Sequence, residues 1–177
     1  MKMKKISRKV VYRSRNGKFT LVSDKVALPN RKIYQYDSVI HGGDVGIVGT
    51  VGKKVVMIRQ HRYPVDKFTL EIPRGFINKG ESMHACAARE MEEEAGYMPR
   101  ELKKLITCYP APGFSNEVTH IFFASSLAKT KSKPDDTEFL QTKLLDIRKA
   151  IKFVRNSKIQ DAITVIGLLT ARERGLI

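Results

Sequence analysis

Three glutamates near the middle of the chain have the spacing of a cation site. If this segment is helical, Glu90 and Glu94 share one face a turn apart, with Glu93 beside them. Clustered carboxylates repel one another by roughly a few tenths of a kcal/mol per pair on an exposed helix. A hard divalent cation such as Mg²⁺ or Mn²⁺ would convert that repulsion into binding, because such ions prefer oxygen ligands. The alternative interpretation is a solvated acidic helix face.

The loop before these glutamates favours the cation site. Gly75 and Gly80 permit a tight loop whose backbone can approach a phosphate or offer a carbonyl to a metal. Glu81 lies where that loop enters the helix and can reach the same cleft. Arg89 precedes Glu93 by four residues, which places its guanidinium where it can orient that carboxylate. Seven residues of this segment are fixed in type and spacing. A random sequence would match all seven with a probability on the order of 10⁻⁸ per start position.

The segment Gly75–Tyr97 resembles the Nudix box of the Nudix hydrolases. It matches that pattern at every defining position, namely Gly75, Glu81, Arg89, Glu90, Met91, Glu93, Glu94, Gly96 and Tyr97. The resemblance implies a metal-dependent hydrolase that cuts nucleoside diphosphates linked to another moiety.

The same resemblance implies a ligand set. Glu90 and Glu94 would be the main metal ligands, and Glu93 would complete or bridge them. Glu81 would be a further ligand or an outer carboxylate, and the backbone carbonyl of Arg74 would be another ligand. The implied cofactor is Mg²⁺ or Mn²⁺.

Flanking segments are similar to the ADP-ribose pyrophosphatase branch of that family. The similar segments are Gln60–Tyr63, Leu70–Gly75 and Tyr109–Ser115. The likeness implies that Glu71 binds the substrate and that Pro112, Gly113 and Phe114 form the substrate loop. This likeness implies hydrolysis of ADP-ribose to AMP and ribose 5-phosphate. Arg74 departs from the branch, which usually carries a small residue there. The alternatives left open are NADH, another nucleotide sugar, a dinucleoside polyphosphate or an RNA 5′ end.

Two further groups complete the predicted site. Arg59 and Arg62 could clamp phosphate oxygens with both arms of the guanidinium, or form ordinary surface ion pairs. Related enzymes often take a general base from a late loop. The only acidic loop after the box contains Asp136 and Glu138, and Glu138 matches best.

The elements that position these residues follow from the apolar pattern. We predict strands at 9–13, 18–28 and 32–40, and a hairpin from 45–48 and 55–58 joined through Gly52. Short extended pieces follow at 68–76, then a helix from Ser82 to Ala95 that ends at Gly96, and strands at 103–109 and 118–126. Helices at 146–156 and 158–174 close the chain.

This order predicts a Nudix-type α/β/α sandwich with a mixed sheet in residues 41–177, and a small antiparallel β subdomain in residues 1–40. The thin apolar content of the subdomain, together with the family resemblance, predicts a homodimer. No signal peptide or membrane-spanning run is recognised, and the two cysteines have no metal or redox spacing, so we expect a cytoplasmic protein.

Net charge is the remaining indicator of a partner. The chain carries a formal charge of +15, which suits either an anionic small substrate or nucleic acid. The basic residues lack interleaved aromatic side chains that would stack bases, so the small nucleotide is favoured. A ligand-sensing or nucleic-acid-binding module on the same fold is the non-enzymatic alternative, and the intact glutamate set argues against it.

Overall fold

A computed structural model describes residues 2–133 and 139–177, in two compact units. One unit contains the N-terminal strands as far as Gly43 together with Tyr109–Val118, a segment that the sequence alone placed in the second domain. The other unit comprises Asp44–Cys108 and Thr119–Ile177.

The first unit is built on a three-stranded antiparallel sheet. Its strands are β1 (Lys4–Arg13), β2 (Phe19–Ala27) and β3 (Ile33–His41), in the order β1-β2-β3. Arg8 on β1 donates two hydrogen bonds to Asp24 on β2, at 2.8 and 2.7 Å, and so fixes the register of that pair.

The segment Tyr109–Val118 runs beside β3 within the same unit. The Val39 N–H donates to the Phe114 carbonyl at 2.8 Å, and the Asn116 side chain accepts from the His41 N–H at 2.7 Å. These bonds satisfy backbone groups on one edge of β3, so the sheet and this segment form one unit.

The second unit contains a seven-stranded mixed sheet and three helices. Its elements are β4 (Asp44–Val51), β5 (Lys54–Arg62), β6 (Lys67–Glu71), β7 (Arg74–Phe76), α1 (Met83–Ala95), β8 (Tyr97–Cys108), β9 (Thr119–Lys129), β10 (Gln141–Asp146), α2 (Ile147–Arg155) and α3 (Ala162–Glu173). The main order is β10-β5-β4-β9-β8, with β6 beside β5 and β7 beside β4. β4 and β9 are parallel and the other pairs are antiparallel.

Alternate residues of the central strands face opposite layers. The side that carries α1 buries Val45, Ile47, Val56, Ile58, Phe122 and Ala124, and the side that carries α2 and α3 buries Val48, Val55, Met57, Ile121 and Phe123. Each strand is therefore apolar on both faces, as a sheet covered on both sides requires. The predicted α/β/α sandwich with a mixed sheet is confirmed, and so is the antiparallel N-terminal sheet.

Two predicted details are wrong. The last helix begins at Ala162, because Asp161 caps it and Ile159 packs into the core from the preceding loop rather than from a helix. Strand β10 was missed because most of its residues are exposed and show no alternation. In the part of the chain that is described, no helix has the length and apolar character needed to cross a bilayer.

Candidate active site

Helix α1 begins and ends where its sequence signals lie. The Ser82 hydroxyl accepts from the Ala85 N–H at 3.1 Å, which satisfies one of the free donors of the first turn. Gly96 ends the helix in the left-handed region, with φ of 72°. These caps fix the register of the glutamates relative to strand β7.

The three predicted glutamates differ in burial. Glu90 and Glu94 are buried, with exposed fractions of 9% and 5%, whereas the Glu93 side chain is 44% exposed. The helix face with Glu90 and Glu94 therefore points into the protein. Since a buried carboxylate is expensive unless it is paired, this burial contradicts a merely solvated acidic face.

Arg89 is the charged centre of this cluster. Its Nη1 donates to Glu90 Oε1 at 2.6 Å and to Glu93 Oε2 at 2.9 Å, and its Nε donates to Glu81 Oε1 at 2.8 Å. The hydrogen bonds between Arg89 and Glu81 lower the pKa of Glu81 to about 2 and raise the pKa of Arg89. One guanidinium thus holds three carboxyl groups in fixed positions.

Gly75 allows close contact between β7 and α1. A Cβ at residue 75 would overlap the carboxylate of Glu90. Glycine at position 75 therefore leaves the Glu90 carboxylate in its place, because the backbone of β7 and this carboxylate occupy adjoining volume. The carbonyl groups of this strand and the glutamates of the helix consequently lie together.

Glu94 is tied to the same strand by its backbone. The Arg74 N–H donates to Glu94 Oε2 at 2.9 Å. The two predicted ligand positions, Arg74 and Glu94, are therefore neighbours although they are 20 residues apart in the chain.

Arg62 and Glu71 form a second charged group in this unit. Arg62 donates from Nε and Nη2 to the two oxygens of Glu71, at 2.8 and 2.5 Å, and Thr69 donates its hydroxyl to Glu71 at 2.6 Å. Burial alone would raise the pKa of Glu71, which is 1% exposed, but the hydrogen bonds and charge of Arg62 lower it below its ordinary value. Of the two predicted roles for Arg62, the ion pair is present.

Arg62, Glu71 and Arg74 also line a cavity of about 560 Å³. The other lining residues are Pro64, Val65, Lys67, Thr69, Gln160, Asp161 and Ala162. A volume of this size accommodates a small organic ligand. The cavity adjoins the glutamate helix, because Arg74 contributes its side chain to the cavity and its N–H to Glu94.

Asp161 is a residue of this region that the sequence did not single out. Its Oδ1 accepts from Arg74 Nη1 at 3.4 Å, while its Oδ2 accepts from the Thr164 N–H at 2.8 Å as the cap of α3. Asp161 therefore orients Arg74 from a helix end 87 residues further along the chain. The only available sequence signal was its cap position.

The remaining predicted residues lie elsewhere. The guanidinium of Arg59 stacks on the Phe68 ring at 3.8 Å and does not line the cavity. Pro112, Gly113 and Phe114 belong to the first unit, where the Gly113 carbonyl accepts from the Tyr36 hydroxyl at 3.3 Å. Asp136 and Glu138 lie outside the described residues. Cys86 is a free thiol, and burial raises its pKa to about 12.

The donor chemistry fits a divalent cation. Among residues 2–133 and 139–177, no three Asp, Glu, His or Cys side chains converge as a metal site, and Arg89 donates to both Glu90 and Glu93. The oxygens of Glu81, Glu90 and Glu93 are nevertheless hard donors with one guanidinium among them, and Gly75 keeps the β7 backbone against them. The sequence-predicted ligand set stays a prediction.

Replacement of Arg62 by glutamine should destabilise the protein by about 2–3 kcal/mol at neutral pH. This destabilisation is smaller than the ~3–5 kcal/mol that removal of one partner costs in a fully buried ion pair, because the Arg62 side chain is 36% exposed. Without Arg62, burial dominates and raises the pKa of Glu71. In the wild type, the pair contributes fully to stability at pH values above the pKa of Glu71 in the unfolded chain. This contribution is lost as the pH falls through the lowered pKa of Glu71 in the folded protein.

The destabilisation by Arg62→Gln should therefore shrink as the pH is lowered from 7 toward 3. Urea unfolding of both proteins across that range measures it. Lys67→Gln, which removes a charge on the neighbouring strand outside this ion pair, is the control and should have little effect at any pH. A destabilisation that grew on acidification would contradict the assigned pKa direction.

Comparison with known proteins identifies the family. The family model described as NUDIX domain matches residues 41–164. The chain is 33% identical over 172 residues to an ADP-ribose pyrophosphatase of Bacillus subtilis, covering 94% of this chain and 93% of the relative. It is 34% identical over 148 residues to a methanol dehydrogenase activator of Bacillus methanolicus, covering 82% and 80%.

A solved structure supports the same fold. The crystal structure of an ADP compounds hydrolase superposes with a TM-score of 0.86 at 24% identity, covering 100% of this chain and 98% of that one. The predicted resemblance, from the box to the ADP-ribose pyrophosphatase branch, is confirmed by these relatives. The chain therefore belongs to the Nudix hydrolase family.

Proposed function

We propose that this Nudix hydrolase cleaves ADP-ribose with water to give AMP and ribose 5-phosphate. The observation that carries the proposal is the buried pair Glu90 and Glu94 packed against β7, in a chain that resembles an ADP-ribose pyrophosphatase over 94% of its length. The cavity beside Glu94 supports a small substrate rather than a polymer, since its volume is about 560 Å³.

The cation would be Mg²⁺ or Mn²⁺, held by Glu90 and Glu94 with Glu93, Glu81 and the Arg74 carbonyl. When bound, such a cation neutralises phosphate charge and lowers the pKa of a coordinated water. Arg89 keeps the carboxylates in register through its hydrogen bonds to Glu90 and Glu93. The cluster remains acidic overall, which favours a cation there.

Substrate phosphates would be bound from the cavity side. Arg74 is oriented by Asp161, and Arg62 by Glu71, so both guanidinium groups are held before the substrate arrives. Donors of this kind are suited to phosphate oxygens, and their fixed orientation lowers the entropic cost of binding. The loop Pro112–Phe114 remains proposed as a substrate loop because of its similarity to the branch.

The substrate assignment is tested by a hydrolysis panel. ADP-ribose, GDP-mannose, NADH, diadenosine polyphosphates and capped or triphosphorylated RNA are compared with Mg²⁺, with Mn²⁺ and with EDTA. We expect the highest kcat/KM for ADP-ribose and no turnover in EDTA. A higher kcat/KM for another substrate would keep the glutamate chemistry and reject ADP-ribose. No hydrolysis of any of them would favour a binding module.

Glu138 is proposed as the general base, with Asp136 as the second candidate. Glu138→Gln should lower kcat by about 10²- to 10⁴-fold, the range typical of general base catalysis, and leave metal affinity nearly intact. AMP release followed over time measures kcat, and Mn²⁺ titration measures the metal affinity. Asp135→Asn, three residues earlier in the sequence, is the matched control. An unchanged kcat in Glu138→Gln would assign the base to another residue.

We also propose a homodimer located in the cytoplasm. Every residue of β1 is exposed, and the strand carries large apolar side chains such as Ile6, Val10 and Tyr12. An exposed apolar edge strand is a liability that a second copy would cover. Sedimentation equilibrium should give twice the mass of the 20.1 kDa chain. A monomer at micromolar concentration would contradict the proposal.

A further inference from the structure

A second cavity lies on the opposite side of the sheet from the glutamate helix. Its volume is about 700 Å³, and its walls come from the β4–β5 turn, from α2 and from the end of α3. Helix α2 packs in the core layer that faces away from α1. This cavity, here called the α2 cavity, is therefore separate from the proposed catalytic site.

The lining of the α2 cavity is strongly basic. Its five basic side chains are Lys53, Arg148, Lys152, Arg155 and Arg172, and all five are exposed to solvent. The single acidic side chain among the lining residues is that of Asp146, and its Oδ1 accepts from the Lys149 N–H at 3.1 Å as the cap of α2. Within the described residues, none of the five basic groups is in an ion pair.

This arrangement has a regular origin in the sequence. Arg148, Lys152 and Arg155 are spaced by four and three residues, so they lie along one face of α2. Like charges at this spacing destabilise a helix, and charges of one sign in a cleft concentrate ions of the other sign. The α2 cavity is therefore expected to attract a polyanion.

The other part of the lining is apolar. Ile147 and Ile151 belong to the cavity wall, and Ile151 is buried in the core with 6% exposure. A cavity of this volume with an apolar wall and convergent polar groups is typical of a small-molecule site. A phosphate chain alone would use the basic groups and leave the isoleucine wall uncovered.

We propose that the α2 cavity is a second ligand site that binds a nucleoside polyphosphate, with its phosphates on Arg148, Lys152 and Arg155. The nucleoside lies against the half-buried Ile147, where it removes apolar surface from water, and beside the buried Ile151. A small ligand is favoured over RNA because the basic groups line one cavity of about 700 Å³. The proposal does not depend on which substrate the glutamate helix hydrolyses.

Calorimetric titration of the full chain with ATP in the presence of EDTA tests the site. EDTA removes the cation that would let ATP bind the glutamate cluster. We expect one ATP per chain, and at least tenfold weaker binding to Lys152→Gln/Arg155→Gln. Arg172→Gln, on a different helix, should weaken ATP binding in the same direction. Inorganic tripolyphosphate should bind the wild type more weakly than ATP.

The matched control is Lys103→Gln/Lys104→Gln, which removes two exposed positive charges from β8 outside the cavity. It should bind ATP within twofold of the wild type. The α2 variant should also hydrolyse ADP-ribose at the wild-type rate when ATP is absent. Circular dichroism and thermal unfolding establish that each variant is folded.

Several results would overturn the proposal. These are an absence of ATP binding in EDTA, an equal loss of affinity in the control, and tripolyphosphate binding as tight as that of ATP. Single-stranded RNA that bound more tightly than ATP and lost more affinity in the α2 variant would assign the surface to nucleic acid instead.

Discussion

Replacement of Glu94 by glutamine is expected to lower kcat for ADP-ribose by roughly 10³-fold or more. The proposed ligand loses its negative charge, and metal ions contribute several kcal/mol of charge stabilisation to such reactions. The fold should persist, because a glutamine oxygen can still accept from the Arg74 N–H that Glu94 binds at 2.9 Å. Steady-state kinetics with Mg²⁺ and thermal unfolding measure the two effects.

The control for this variant is Glu92→Gln, which makes the same change two residues earlier on the same helix. Glu92 is half-buried, and in the described part of the chain its side chain forms no hydrogen bond with Arg89 or Arg74. The kcat of Glu92→Gln should therefore stay near that of the wild type. Near-wild-type kcat in Glu94→Gln would reject the ligand assignment.

Replacement of Gly75 by alanine is expected to produce a folded protein with about 10²-fold lower kcat. The added methyl group occupies the place of the Glu90 carboxylate. The carboxylate is the end of a flexible side chain and can move aside, so the loss of stability should be small. A displacement of about 1 Å at a reacting centre costs roughly 10²-fold in rate.

Metal affinity separates this explanation from a general loss of structure. Mn²⁺ titration should show weaker binding in Gly75→Ala, while thermal unfolding shifts by only a few degrees. Gly42→Ala is the matched control, because a Cβ at residue 42 meets no atom within 4 Å. Unchanged kcat and Mn²⁺ affinity in Gly75→Ala would show that the position of Glu90 is not critical.

Helix α1 was predictable because its information is local. Ser82, Gly96 and the spacing of the glutamates lie within one short segment, and local caps determine where a helix begins and ends. The hydrogen bond from Arg89 to Glu93 follows from the four-residue spacing in the same way. The burial of Glu90 and Glu94 was not predictable, since it depends on β7.

The environment of the cavity depends on long-range pairing. Arg62 on β5 reaches Glu71 on the neighbouring β6, whose backbone register partner is Ile58. Arg74 meets Asp161 across 87 residues. Neither contact has a periodic signal in the sequence. The start of α3 was misplaced for a related reason, because the burial of Ile159 extended an apparent helical stripe into the loop.

The first unit has consequences for how this protein folds during synthesis. Its strand β3 ends at His41, but the partner that binds the His41 N–H, Asn116, follows 75 residues later. At ~5–20 residues per second, a ribosome needs roughly 4–15 s to make that interval. One edge of β3 therefore stays unpaired while β4 to β8 are synthesised. During that time this edge can pair with a wrong strand or bind a chaperone.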